Sequence, residues 1–135
     1  MEAMQTATEN TDSKKTILCV DDDDIALAVW SQMLQKLDYT VLQARYGYEA
    51  LKIFEKNKNR ISLVILDMRM PGMDGCEVYD RLKAIQQEIK IIIVSGYIDQ
   101  YSINELLKRK FGDYIEKPFK LKELSEKIEE VLEQP

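Results

Sequence analysis

Asp67 ends an apolar run. Residues 62–66, S-L-V-I-L, show no helical period, are rich in Val, Ile and Leu, and give way at Asp67 to M-R-M-P-G-M-D-G with a turn signal at Pro71 and Gly72. That pattern reads as a strand buried on both faces, the kind found in parallel sheets, where ligands bind beyond the carboxyl ends of the strands. An aspartate at such a place can simply cap a loop. Here, however, three other apolar runs also stop on polar residues: Asp21, Asp22, Asp23 and Asp24 follow 16–20, Ser95 follows 90–94, and Lys117 follows 112–115. In a parallel sheet these positions share one edge and can meet in one pocket. Carboxylates brought together from two strands repel, and either a raised pKa or a hard cation with oxygen ligands relieves the repulsion. Mg²⁺ suits such a set, because it keeps open positions for phosphate oxygens, and Lys117 adds a second positive charge. With the Ser95 hydroxyl alongside, the group is suited to receive a phosphoryl group, and Asp67 is the expected nucleophile.

The elements that would position these residues alternate along the chain. After the strand at 16–20, Ile25, Ala26, Val29, Trp30, Met33, Leu34 and Leu37 recur at helical spacing, so one of the preceding acids must cap a helix. A second strand is expected at 39–43, then a helix opened by Gly47 with Ala50, Leu51 and Phe54 on its face. The strand ending at Asp67 is third. A helix through Val78, Tyr79, Leu82 and Ile85, a strand at 90–94, a helix at 99–110 and a short strand at 112–115 follow. Lys117-Pro118 breaks that last strand, and Leu121, Leu124, Ile128, Val131 and Leu132 mark a closing amphipathic helix. Five β-α units with right-handed parallel crossovers predict an α/β fold, a doubly wound three-layer α/β/α sandwich with helices on both faces.

Composition narrows the function. The 135 residues, 45% of them hydrophobic, suit one domain with a real core; residues 1–15 are expected to be a disordered lead or linker remnant and 16–135 the domain. Nineteen basic against 24 acidic residues, a net charge of −5 without a basic stripe, argue against direct nucleic-acid binding. With neither a signal-peptide core nor a membrane-length apolar run, a cytoplasmic location is expected. The absence of histidine removes His-based catalysis, His metal sites and a phosphohistidine of the chain's own. Cys19 and Cys76 lack metal-ligand spacing and are expected to be small buried or half-buried hydrophobes.

Taken together and in order, I-L-C-V-D-D-D, L-D-M-R-M-P-G-M-D-G, V-S-G-Y and D-Y-I-E-K-P-F resemble the receiver domain of bacterial two-component response regulators, over about residues 15–133. The resemblance implies a flavodoxin-like five-stranded parallel sheet of order 2-1-3-4-5 with five helices. It implies that Asp67 accepts a phosphoryl group from a phosphohistidine of a sensor histidine kinase or histidine phosphotransfer protein. It further implies that Asp21 and Asp22 hold Mg²⁺ together with Asp67 and the backbone carbonyl of Arg69, Asp22 being a direct ligand. Ser95 would hydrogen-bond the phosphoryl group, Lys117 would pair with it, and Ser95 and Tyr114 would form the switch of a helix 4, strand 5 and helix 5 face. Such a domain is not an enzyme beyond promoting its own phosphorylation and dephosphorylation. It works as a monomer or as a phosphorylation-dependent homodimer on a downstream protein target, either alone or as the carboxyl-terminal receiver of a hybrid sensor kinase. Arg69 and Tyr97 hold positions that bear on the lifetime of the acyl phosphate, and Lys110 and Phe111 replace the family's frequent Gly-Ala pair. Asp23 and Asp24 have no role in the resemblance and are expected to cap or to be surface charges. A phosphatase with an aspartate nucleophile would want a second acid where Arg69 stands, and a nucleotide-binding module would want a phosphate loop where four aspartates stand.

Overall fold

The computed structural model describes residues 14–96, 99–109 and 113–134. The expected strand and helix at 112–115 and 99–110 therefore run partly outside it, at Gly112 and Lys110. The chain runs β1 (Thr16–Val20), α1 (Asp24–Lys36), β2 (Thr40–Ala44), α2 (Gly47–Asn57), β3 (Ile61–Asp67), α3 (Gly75–Ile85), β4 (Lys90–Ser95), α4 (Gln100–Lys108), β5 (Tyr114–Glu116) and α5 (Leu121–Glu133). All strand pairs are parallel, in the order β2-β1-β3-β4-β5. The doubly wound sheet expected from the sequence is present.

The apolar runs lack alternation because each strand is covered on both faces. Leu18, Val20, Val64, Leu66, Ile91 and Ile93 face one layer, where Ala50 and Phe54 of α2, Val78 and Leu82 of α3 and Leu106 of α4 pack. Ile17, Cys19, Leu63, Ile65, Ile92 and Val94 point the other way, onto Leu27, Trp30 and Leu34 of α1 and Leu124, Ile128 and Val131 of α5. Period two within each strand thus sorts one continuous run into two cores. Both cysteines are buried, as expected of small hydrophobes. Among the described residues no helix is long and apolar enough to cross a membrane.

Of the boundaries that differ from the sequence pattern, three have local reasons. Asp38 adopts φ 71°, Asp38 N–H donates to Gln35 O at 3.0 Å and Tyr39 N–H to Leu34 O at 3.0 Å. This is a Schellman stop with aspartate in the place usually held by glycine. It keeps Tyr39 in the turn and moves β2 one residue on, to Thr40–Ala44. Asp99 caps α4 rather than opening it, its carboxylate accepting from Ser102 N–H at 2.7 Å. In β5, Glu116 is included because it pairs with Ser95, so the strand reaches to the residue before Lys117.

Two glycines are required by geometry at the end of β3. A Cβ on Gly75 would lie 2.8 Å from Met68 Cα and 3.0 Å from Asp67 O, so only glycine lets the start of α3 lie against the end of that strand. Gly72 turns the intervening loop with φ 80°.

Candidate functional site

Register places the polar ends together. Val20 pairs with Leu66, Asp67 with Val94 and Ser95 with Glu116, so Asp21, the residue after β1, comes level with Asp67, and Lys117, the residue after β5, falls one step beyond Ser95. Hydrogen bonds one step past the strands hold this edge: Asp21 N–H to Ala44 O at 3.1 Å, Met68 N–H to Val94 O at 3.0 Å and Lys117 N–H to Ser95 O at 2.9 Å.

Asp21, Asp67 and Ser95 are buried, at 1%, 5% and 2% exposure, whereas Asp22 is exposed at the mouth. The three carboxylates of Asp21, Asp22 and Asp67 each offer an oxygen, all within 4.8 Å of one another. Lys117 Nζ donates to Asp21 Oδ2 at 2.9 Å and lies 3.2 Å from Asp67 Oδ1. Asp21 is also fixed from its own loop, its Oδ1 accepting from Asp23 N–H at 2.9 Å. Burial, reinforced by the negative charge of Asp21, pushes the Asp67 carboxyl up to about 6, against the opposing pull of Lys117. Burial pulls Lys117 down, but hydrogen bonding and charge from Asp21 and Asp67 raise it on balance. One ammonium for two buried carboxylates leaves the pocket short of positive charge. Small hard cations with oxygen ligands suit that deficit, and the donor set fits Mg²⁺.

The pattern of this edge agrees with the comparison of the chain against known families. Residues 17–129 match the response regulator receiver domain. The chain belongs to that family. The receiver is 39% identical over 119 residues to the sensor kinase CckA of Brucella abortus, a match that covers 87% of this chain and 12% of the kinase. It therefore spans only about an eighth of that relative's length. It is 34% identical over 116 residues to sporulation initiation phosphotransferase F of Bacillus subtilis, covering 86% of this chain and 92% of that protein. Among solved structures, the CheY-like response regulator receiver domain protein of Methanospirillum hungatei superposes with a TM-score of 0.81 at 33% identity, over 89% of this chain and 94% of that one.

Each described residue singled out in the sequence lies at this edge of the receiver or on its rim. Arg69 follows Asp67 by two positions, and its side chain reaches Asp99 at 3.5 Å, linking the loop after β3 to the cap of α4. The half-buried Tyr114 donates its hydroxyl to Ser95 O at 3.4 Å. Asp23 is the α1 cap, accepting from Ile25 N–H at 2.9 Å, and Asp24 is an exposed partner of Arg45, with Nε to Oδ1 at 2.7 Å. Tyr97, Lys110 and Phe111 lie outside the described residues.

Two features of the receiver were not legible in the motifs. Trp30 of α1, read only as one apolar residue in a helical series, lies under the Lys117 ammonium, 5.1 Å from Nζ to the ring centroid. Arg109, at the end of α4, grips Asp80 of α3 through Nε–Oδ1 at 2.7 Å and Nη2–Oδ2 at 2.8 Å. Both contacts join residues far apart in sequence, and neither has a local pattern that could have revealed it.

Proposed function

We propose that residues 16–135 form a phosphoacceptor signalling domain in which Asp67 takes a phosphoryl group from a phosphohistidine on a sensor histidine kinase or a histidine phosphotransfer protein. The observation that carries this reading is the single ammonium shared by two buried carboxylates, within an oxygen cluster able to hold one divalent ion. Asp67 Oδ attacks phosphorus, the P–N bond of the donor breaks, and its electron pair stays on the departing imidazole. Asp21, Asp22, Asp67 and the backbone carbonyl of Arg69 would hold Mg²⁺, which would supply positive charge to the phosphoryl oxygens. Lys117 exchanges its contact with Asp21 for a phosphoryl oxygen, and the Ser95 hydroxyl donates to another. Because Tyr114 already bonds the Ser95 carbonyl, movement of Ser95 is felt directly at β5 and from there along the α4-β5-α5 face. Such a domain promotes only its own phosphorylation and dephosphorylation. Its place of action is the cytoplasm, and its output is a changed surface offered to a partner protein.

The test is uptake of a phosphoryl group from a small acyl phosphate in the presence of Mg²⁺, read by intact-protein mass. One group is expected, absent in Asp67→Asn and released by hydroxylamine. Labelling that persists in Asp67→Asn, or that resists hydroxylamine, overturns the assignment.

A further inference from the structure

Lys117 has three ammonium hydrogens and two carboxylate partners, Asp21 at 2.9 Å and Asp67 at 3.2 Å. An aromatic ring also faces the ammonium. The Trp30 ring lies 5.1 Å from Nζ, only 4% of Trp30 is exposed, and Phe119 packs against the same ring with centroids 5.9 Å apart and planes tilted by 40°. Trp30 comes from α1 and Phe119 from the segment just after Lys117, so the indole is wedged between the helix that follows Asp21–Asp24 and the loop that carries the lysine. A lysine stem is long and flexible, and an ammonium between two carboxylates has more than one place to settle. An aromatic face attracts the cation without offering it a competing charge.

We propose that Trp30 is a positioning residue for Lys117: its ring face holds the ammonium beside Asp67 while the lysine trades Asp21 for a phosphoryl oxygen. The attraction is directed at the cation and not at either carboxylate, so it persists through that exchange. Phe119 braces the ring on the lysine's own loop and keeps the indole from following the side chain. The inference rests on the phosphoacceptor reading of Asp67. It adds a residue that touches no reacting atom and acts only through Lys117.

Replacement by Phe keeps a ring face, whereas replacement by Leu keeps an apolar filler without one. The initial rate of phosphorylation from a small acyl phosphate at saturating Mg²⁺ is expected to fall by about 2- to 30-fold in Trp30→Leu, the range a desolvated cation–π contact supports. Trp30→Phe is expected to recover most of that rate, although both variants lose stability through the smaller side chain. A Trp30→Leu rate equal to that of the unsubstituted protein, or a Trp30→Phe rate as low as that of Trp30→Leu, reduces the indole to core packing and overturns the proposal. A second readout needs no substitution: in the intact protein the Lys117 Hε protons are expected to be shifted upfield of those of the other lysines by the indole ring current. Lys117 Hε protons at the ordinary lysine position overturn the proposal even if a variant fails to fold. Failure of the unsubstituted protein to take up any phosphoryl group counts against the role of Asp67, whereas normal uptake with an indifferent Trp30→Leu counts against Trp30 alone.

Discussion

Asp67 carries its charge at a cost to the fold. Its carboxyl titrates at about 6 in the folded protein against 3.8 ordinarily, so between those pH values the folded state holds a proton that the unfolded chain has released. The stabilising contribution of the protonated group is complete below about 3.8 and is lost as the pH rises through 6. Two units correspond to on the order of 3 kcal/mol. Asp67→Asn is therefore expected to stabilise the metal-free protein at pH 7.5 by roughly 1 to 3 kcal/mol, with the gain vanishing toward pH 4. Urea unfolding followed through Trp30 fluorescence at the two pH values checks this, and an equal gain at both would mean that charge is not its source. Mg²⁺ is expected to stabilise the unsubstituted protein at pH 7.5 and to do so much less in Asp22→Ala, which lacks one of the three oxygens in reach of the ion. Asp23 belongs to a different account. As the cap of α1 it accepts from Ile25 N–H, and Asp23→Ala is expected to cost about 1 kcal/mol of stability by the same urea assay.

Among the helices, α4 is the one least tied to the core. Leu106 is its only buried residue, whereas α1, α3 and α5 each bury three or more. What else holds it is polar: the cap at Asp99, the bridge from Arg69 to Asp99, and the grip of Arg109 on Asp80 of α3. Arg109 also donates to Glu105 O at 2.7 Å, so one guanidinium closes the end of α4 and joins it to its neighbour. An element secured by a single apolar side chain and exposed charge pairs opens more readily than the sheet. Asp80→Ala removes a bidentate pair worth about 1 kcal/mol at most and is expected to speed amide exchange in α4 about fivefold. Amides of β1 and β3 are expected to stay unchanged, and acceleration there as well would mark global rather than local loosening. Leu106→Ala removes the apolar anchor itself and is expected to cost about 3 kcal/mol, read in the same exchange experiment together with urea unfolding.

At the scale of the whole receiver, the site and the loosely held helix lie at one edge, connected through Ser95, Tyr114 and the Arg69–Asp99 bridge. Moving a two-state population from almost all inactive to almost all active takes about 5.5 kcal/mol of differential binding. On the proposed reading, charge-assisted hydrogen bonds from Lys117 and Ser95 to a phosphoryl group, at roughly 1.5 to 3 kcal/mol each, would supply most of that. Mg²⁺ with beryllofluoride as a phosphoryl mimic is expected to shift amide resonances at Ser95, in α4 and through β5 to Leu121, while β2 and α2 stay still. Shifts confined to residues that touch the mimic, with Tyr114 unmoved, would mean that the domain accepts the group without signalling through this face.

Fold and site were legible in the sequence to different depths. Two-sided burial suppresses alternation, so the apolar runs ending before Asp21, Asp67 and Ser95 could be recognised as strands of a parallel sheet, and a parallel sheet brings their polar ends to one edge. The fold class and the shared edge of the pocket residues follow from that local pattern, whereas the strand order was implied only by the resemblance of the motifs to the receiver family. Boundaries did not follow, because Asp38 stops α1 in a left-handed conformation that aspartate seldom signals, and because the end of β5 is set by pairing with Ser95. Side-chain encounters between distant elements were decided by tertiary structure alone. Trp30 and Lys117, and Arg109 and Asp80, meet only because helices pack across a folded sheet, and the elevated pKa of Asp67 arises only once burial and Asp21 surround it. Periodicity records which face of an element is apolar; it carries no information about which polar or aromatic group on another element will face it.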